Sequence, residues 1–440
     1  MSEGFSFKID DHIFADRSGW PPRKAAEHGL GLLVNGRRVT PHLLCIGGED
    51  HNLRIPFLLA LRDRGFRITA AGTGDPAPFA RLGLDYRPFR FDRFVNPLAD
   101  RAAISALTKL IGEVRPDIVQ SFDTKPNLLV PLATRNLSNV LTVRTINGLG
   151  QIYSSRSPTS LMLRLIFPML HRVAGRSAAL TIFQNRDDQT FFERHRMLGK
   201  GASRLIPGSG VDIDSFDRAL AARPSRSALR KQLGLEDAEI VITVTRLTRQ
   251  KGIPTLLEAA ALVHRMRPSV RFLLVGPREG EGSYAVTQAE IDRHAPYVIP
   301  LGRRSDIPDL LGLADVFAFP TEYREGVPRV LLEAALADLP IVTTNMPGCS
   351  DVVRDGWSGF LVPPRKPHLL AARVLDMLCE RRTARIMGVR AGRLVRREFG
   401  LQLTVSRYVD AYAALASARS PSLASYHGAI GGISSQEARS

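Results

Sequence analysis

The sequence predicts an α/β protein of two consecutive modules, each a parallel sheet covered by helices, with a cleft between them. Three observations carry this. From Pro41 onward, short apolar runs rich in β-branched residues alternate with helical segments, the pattern of βαβ units. Midway, the stretch PGSGVDIDSFDRA (207–219), broken by Pro, Gly and Ser, interrupts the alternation, which then restarts. Finally, 440 residues leave room for two or three domains at about 150 residues each.

Taken in order, residues 1–40 are polar and weakly patterned and read as an N-terminal extension. The first module, 41–206, opens with HLLCIG (42–47) as a strand and HNLRIPFLLALRDRG (51–65) as a helix stopping at Gly65. FRITAAG (66–72) is the next strand and ADRAAISALTKLIGEV (99–114) the next long helix. DIVQSF (117–122), VLTVRTI (140–146) and ALTIFQN (179–185) are further strands. The second module, 207–400, contributes EIVITVTR (239–246), VRFLLVG (270–276), YVIPLG (297–302), DVFAFP (315–320) and PIVTTN (340–345), each followed by a helix. Residues 401–418 are expected to form a helix returning to the first module. The Ser- and Gly-rich residues 419–440 read as a disordered tail.

Composition narrows the function classes. No run approaches the ~18 apolar residues of a membrane-spanning helix, and the start carries no basic region followed by an apolar core, so no signal peptide is expected. Cys45, Cys349 and Cys379 lie too far apart for a zinc module or a disulfide scaffold, which fits a reducing, cytoplasmic compartment. The formal net charge is +17, and residues 1–210 carry +11 of it, with 29 Lys and Arg against 18 Asp and Glu. Such an excess suits nucleic acid, an anionic membrane surface or phosphorylated ligands. The sequence has no RNP, KH, zinc-finger or helix-turn-helix signature, which argues against nucleic acid.

The second module carries the chemistry. In VTRLTRQKGIPTLLEAA (244–260), Arg246 stands at a strand end and Lys251-Gly252 opens a helix. Two cations and a helix N-terminus at one loop suit a diphosphate. In FPTEYREGVPRVLLEAALADLPIVTTNMPGCSDVVRDGWSGFLVPP (319–364), Glu325 lies in a loop after a strand, Gly326-Val327-Pro328 opens a helix, and Glu333 follows on that helix after seven intervening residues. A loop carboxylate can meet a sugar hydroxyl or developing positive charge, and a helical one a ribose diol. Alone, the cationic motif equally fits an ordinary basic surface loop, and the glutamate pair alone fits solvated acids favoured at a helix start better than a site. LLVGPREGEG (273–282) reads only as a turn. One Asp-x-Asp, Asp212-Ile213-Asp214, falls in the hinge, where no metal role is expected.

Together these motifs resemble the family-four retaining glycosyltransferases of the GT-B fold, over about residues 41–410. The matching elements are Arg246…Lys251-Gly252, the Glu325-x7-Glu333 pair, Pro-Gly-Cys-Ser (347–350) and Asp-Gly-x-x-Gly-Phe-Leu-Val (355–362). IPGSGVDIDSF (206–216) matches the family's hinge. FDTKPN (122–127), TINGLG (145–150) and FQNRDDQTFF (183–192) resemble a narrower group, bacterial transferases extending undecaprenyl-diphosphate-linked sugars for surface polysaccharides. The resemblance implies two Rossmann-like domains facing a central cleft. It also implies transfer of a hexose or N-acetylhexosamine from a nucleotide sugar, UDP-linked, to a lipid-linked sugar. Arg246 and Lys251 would hold the donor diphosphate, Glu333 the ribose, and Glu325 with Gly326 the transferred sugar. Gly47 and Gly48 would let backbone approach the donor phosphate; Lys125 and Asn147 would lie on the acceptor side. No metal or cofactor is implied, since Arg, Lys and helix N-termini neutralise the diphosphate. Members often carry a histidine near the cleft in the front half. This chain has Gln120, Ser121 and Asn147 there, so no histidine-assisted step is expected. A nucleotide-sugar epimerase or hydrolase of the same fold, or a non-catalytic sugar-nucleotide-binding subunit, is the alternative.

A lipid-linked acceptor requires the first module to reach a bilayer. SLMLRLIFPMLHRVAGR (160–176) places Arg164, His171 and Arg172 on one narrow helical face amid apolar residues. It is too short to span but able to lie along a membrane, with a kink expected at Pro168. FRFDRFVNP (89–97) is a second basic-aromatic patch. The expectation is peripheral binding to the anionic inner face of the cytoplasmic membrane.

Overall fold

Residues 32–34, 37–48, 51–92, 96–155, 157–278 and 282–419 are described by a computed structural model of the chain. The expected extension and tail lie largely outside these residues. Within the former, β1 (Leu32–Val34) and β2 (Arg37–Val39) pair antiparallel.

The apolar, β-branched runs form strands because only a sheet buried on both faces covers them. The first sheet comprises β3 (His42–Gly47), β4 (Arg67–Gly72), β5 (Asp85–Pro88), β6 (Ile118–Phe122), β7 (Leu141–Ile146), β8 (Leu180–Phe183) and β9 (Ala202–Leu205). All are parallel, in the order β5-β4-β3-β6-β7-β8-β9. The second comprises β10 (Glu239–Val244), β11 (Val270–Val275), β12 (Val298–Gly302), β13 (Val316–Phe319), β14 (Ile341–Thr344) and β15 (Phe360–Val362), parallel in the order β12-β11-β10-β13-β14-β15. In each sheet the chain reverses direction of growth at its first long strand. The switch points are therefore β3/β6 and β10/β13, where the carboxyl ends of strands leave a crevice for ligands.

Helices cover both faces. The expected helix over 51–65 starts late: His51–Arg54 is a 3-10 turn and the α-helix runs Ile55–Asp63, with Pro56 suited to its first turn. The next long helix, Pro97–Val114, begins where the Asn96 side chain accepts the Ala99 N–H. The last helix, Leu401–Arg419, crosses back from the second module. Its Val405, Tyr408 and Tyr412 enter the same core as Leu43, Phe57 and Phe66. Both tyrosines also bond into the first sheet: Tyr412 Oη donates to Gln120 Oε1 at 3.0 Å, and Tyr408 Oη lies 3.0 Å from Thr145 Oγ1.

The amphipathic segment is a helix over Pro158–Gly175 that continues through Pro168. Its orientation reverses the expected one. His171 is buried against Arg144, Arg164 donates to the carbonyls of Ile152, Tyr153 and Ser155, and Arg172 donates to that of His195. The outward side is largely apolar instead: Leu161, Met162, Leu165, Met169, Leu170 and Val173 are exposed, Leu165 to 81%, with Arg172 exposed beside them. The cause is the first module's core, which takes Phe167, and loop carbonyls that recruit the arginines. In the second patch, Arg90 is exposed and Arg93 lies outside the described residues. Among the described residues, no helix is long and apolar enough to cross a membrane.

Candidate active site

The loop after β10 is shaped by one backbone constraint. Gly252 caps the helix Ile253–Met266 with φ at +73°, and a Cβ there would stand 1.8 Å from the Pro320 carbonyl oxygen. Only glycine fits, and the resulting turn drives Lys251 inward. Its side chain is 8% exposed and its Nζ lies 2.6 Å from Glu325 Oε1. Phe319 and Tyr323 flank the ammonium, with ring centroids 5.8 and 5.2 Å away. Glu325 itself follows β13, with Thr321 Oγ1 3.5 Å from the same oxygen. A cation and a carboxylate are thus held together where water is scarce and their fields are strong.

This pair opens on a cavity of about 390 Å³ between the modules. From the second module Arg246, Lys251, Tyr323, Glu325, Gly326, Val327 and Arg329 line it; from the first, Arg54, Asp123, Asn147, Gly150 and Gln184; from the hinge, Ser209, Gly210 and Asp212. The structure therefore brings Arg246, Lys251, Glu325, Gly326 and Asn147 to one place. Asp212 also serves as a helix cap, its Oδ1 accepting the Ser215 N–H at 3.0 Å. Gln120 and Ser121 are buried in the first module away from the cavity lining.

Four expected site residues stand elsewhere. Gly47 does not line the cavity; a Cβ there would sit 2.1 Å from His51 Nδ1, so its missing side chain makes room for that buried ring. Burial and then Arg54 push the His51 pKa down to about 3, leaving it neutral. The Gly48 N–H is bonded to Asp123 Oδ2 at 2.8 Å. Lys125 turns toward the helix Pro97–Val114, with Nζ 2.7 Å from Asp100 Oδ1 and donating to the Asp92 carbonyl. Glu333 lies beyond the lining, with Arg329 Nε 2.9 Å from its Oε1. Its burial raises the carboxyl pKa against the opposing pull of Arg329.

The geometry adds residues that sequence reasoning passed over. Asp123, in the FDTKPN word, stands at φ +68°, a region costly for a non-glycine residue. Its Oδ1 accepts from Arg54 Nη2 at 2.9 Å and Asn147 Nδ2 at 2.8 Å. Burial works against its charge, but Arg54 and the donors from Gly48 and Asn147 hold the carboxyl below its ordinary range. Asn185 and Asp188, in the FQNRDDQTFF word, are fully buried and meet the Glu325 loop across the cleft.

Two Rossmann-ordered parallel sheets facing a cleft are the arrangement of the GT-B fold. Residues 225–393 match the family described as "Glycosyl transferases group 1". The chain is 30% identical over 312 residues to a GDP-mannose-dependent α-(1-6)-phosphatidylinositol monomannoside mannosyltransferase of Mycolicibacterium smegmatis, covering 67% of this chain and 76% of that one. It is 24% identical over 335 residues, 76% of this chain and 87% of the other, to the Campylobacter jejuni N,N'-diacetylbacillosaminyl-diphospho-undecaprenol α-1,3-N-acetylgalactosaminyltransferase. The solved structure of Anabaena HepE with UDP-glucose superposes with a TM-score of 0.68 at 21% identity, over 85% of this chain and all of that one. The chain belongs to the group 1 glycosyl transferases, and it is a glycosyltransferase enzyme.

Proposed function

We propose that the enzyme transfers a hexose or N-acetylhexosamine, with retention and without a metal, from a UDP-sugar to a lipid-diphosphate-linked sugar in surface polysaccharide assembly. The observation that carries this is the buried Lys251–Glu325 pair facing a cavity that Arg246 also lines. A nucleoside diphosphate entering there meets Arg246 and Lys251, and its charge grows as the sugar departs. Fixed cations stabilise that growth more than they stabilise the bound donor, which is what lowers the barrier. The N-terminal ends of the helices at Gly252 and Pro328 add positive potential. Glu325, held beside the leaving charge, faces the sugar, where positive charge develops. Glu333 would meet the ribose after exchanging Arg329 for it. Asn147 stands on the acceptor wall.

The names of relatives support the substrate classes. The Campylobacter relative is named for a diphospho-undecaprenol-linked acceptor, and a 26%-identical Escherichia coli relative for UDP-Gal and GlcNAc-diphosphoundecaprenol. Such an acceptor stays in the membrane. The helix Pro158–Gly175 is tied to the cavity wall through Arg164, which bonds the carbonyls of Ile152, Tyr153 and Ser155 in the segment that follows Gly150, and its other side is exposed and apolar. We assign this face to peripheral contact with the cytoplasmic membrane.

The test is nucleotide release from a panel of UDP- and GDP-sugars, with and without a lipid-diphosphate-linked sugar. Acceptor-dependent release of UDP with a glycosylated lipid product is expected. Free sugar or a 2-epimer as the sole product would overturn the reading in favour of hydrolysis or epimerisation.

A further inference from the structure

Glu325 belongs to the second module, yet its backbone is held by the first. The Arg324 N–H donates to Ser154 Oγ at 2.8 Å and the Arg324 carbonyl accepts the Gly150 N–H at 3.1 Å. The Gly326 N–H donates to the Asn147 carbonyl at 3.0 Å. Asn185 Nδ2 lies 3.2 Å from the Glu325 carbonyl oxygen and 3.1 Å from that of Gly326. Asn185 is itself fixed: its Oδ1 accepts the Asp188 N–H and its Nδ2 donates to Asp188 Oδ2, both at 2.8 Å. Asp188, fully buried, then receives Arg324 Nη2 on its other oxygen at 3.3 Å. A Cβ on Gly326 would stand 2.1 Å from Gln184 Oε1 and 3.1 Å from the Asn147 backbone, so the two modules pack closely at this seam. Two separate segments of the first module, 147–154 and 185–188, thus grip three consecutive residues of the second, and the middle one carries the carboxylate that meets Lys251.

We propose that Asn185, Asp188 and Arg324 are positioning residues that clamp the Glu325–Gly326 backbone across the cleft and so set the direction of the Glu325 carboxylate. The inference rests on the transferase reading and adds to it a device by which closure of the two modules completes the site. An interface serving only cohesion has no need to converge on this loop. With one amide hydrogen on Asp188 Oδ2, the other is shared between two consecutive carbonyls, which fixes the peptide between them, and the Glu325 side chain leaves the backbone one atom away. The clamp is also pH-sensitive. Burial raises the Asp188 carboxyl to about 6, against the lowering influence of Asn185 and Arg324, with Asp187 adding to the rise. Asp351, on the neighbouring helix Cys349–Val352, is likewise raised to about 6 by its burial, and Arg186 faces this acidic group. Above that range Asp188 is ionised and engages Arg324; below it the grip on Arg324 loosens.

The experiment measures kcat and KM for transfer, the affinity for UDP, and hydrogen exchange over residues 321–330 in wild type, Asn185→Ala, Asp188→Asn and Arg324→Ala. Losing the amide is expected to lower kcat about tenfold, the worth of a buried hydrogen bond. UDP affinity should hold within about twofold, since the diphosphate cations are untouched. Exchange over 321–330 should quicken in Asn185→Ala and Arg324→Ala alike. Asp188→Asn, which keeps shape, should abolish the acid limb of kcat near pH 6, and Arg324→Lys should recover part of what Arg324→Ala loses. A kcat within about twofold of wild type in both alanine variants overturns the clamp. So does a fall in kcat matched by equal loss of UDP affinity and melting temperature, the mark of general damage. An acid limb unchanged in Asp188→Asn removes Asp188 from it. If Asn185→Ala fails to fold, Arg324→Ala, altered on the half-buried loop, decides. Absence of acceptor-dependent transfer in wild type speaks against the proposed function alone, because exchange and UDP affinity still report on the clamp.

Discussion

Lys251 and Glu325 stand 2.6 Å apart with the lysine side chain only 8% exposed, so removing either leaves the other uncompensated. Arg246 is exposed on the cavity wall. Arg246→Ala and Lys251→Ala should each lower kcat/KM by one to two decades, because losing a charge-assisted contact costs roughly 1.5–3 kcal/mol. Steady-state kinetics with the donor varied checks this, and unchanged values in both variants would contradict the diphosphate assignment. Glu325→Gln preserves shape and removes charge, so kcat should fall while donor KM holds. Glu333→Gln should chiefly raise donor KM, since a ribose contact changes little as the sugar moves. A third residue separates stability from activity. The folded-state pKa of Asp188 is raised to about 6, so the native protein binds a proton there that the unfolded chain releases at lower pH. Its contribution to stability therefore grows as pH falls through 6, and is smaller above it. The melting temperature of wild type relative to Asp188→Asn should rise between pH 7 and 5, while activity falls over the same window.

At the level of elements, the helix Leu401–Arg419 is the strap joining the modules, because its tyrosines fill the first core while, at the hinge, the Val211 N–H donates to the Phe399 carbonyl and the Val211 carbonyl accepts the Leu401 N–H. Tyr412→Phe keeps the packing but strips Gln120 Oε1 of its donor. Leaving a buried acceptor unsatisfied costs about 1–3 kcal/mol, so the variant should melt at lower temperature with its nucleotide affinity intact. The strands show what a sequence can disclose. Central strands such as β3, β6, β10 and β13 are buried because both faces are covered, and each was legible as a predominantly apolar, β-branched run even where Gln120, Ser121 or Thr243 interrupts it. β5, β9 and β15 are edge strands. Part of their surface meets solvent, so DYRP and ASRL carry no apolar run, and GFLV stood out only as a family word. The site divides along the same line. Arg246, Lys251, Glu325 and Gly326 sit at strand ends or helix starts of one module, where spacing locates them. Asn185, Asp188 and Arg324 act across the cleft, and Lys125 was misplaced because its partner Asp100 lies on another helix. Neither pairing leaves a local signature.

For the molecule as a whole, the question is how a catalyst with no membrane-crossing helix among its described residues would meet the lipid-anchored acceptor proposed for it. Sequence alone suggested a charged face on Pro158–Gly175, but Arg164 is bonded inward to carbonyls and Arg172, although exposed, is tied to the His195 carbonyl. Reversing their charge would break the helix's attachments rather than report on a bilayer. What faces outward is a ridge that includes Leu161, Met162, Leu165 and Met169. A fully buried side chain of this size gains about 1.5–3 kcal/mol, so a few entering the acyl boundary suffice for reversible binding. Basic residues near an anionic surface add about 1 kcal/mol each and fade within a Debye length; Arg90 and Arg176 are exposed on the same module. Two components with different salt dependence follow. Cosedimentation should show stronger binding to anionic than to neutral vesicles at low salt, with a salt-resistant remainder on both. Leu165→Glu/Met169→Glu should remove the remainder, lowering partitioning at least tenfold, roughly the transfer energy of one such side chain. Arg90→Glu/Arg176→Glu should remove only the salt-sensitive part. UDP affinity should be unchanged in either variant, while transfer to a lipid-linked acceptor in vesicles falls and transfer to a short-chain analogue in solution does not. If the Leu165/Met169 variant bound neutral vesicles as wild type does at high salt, the ridge would not be the contact, and the acceptor would have to reach the cavity over another face of the first module.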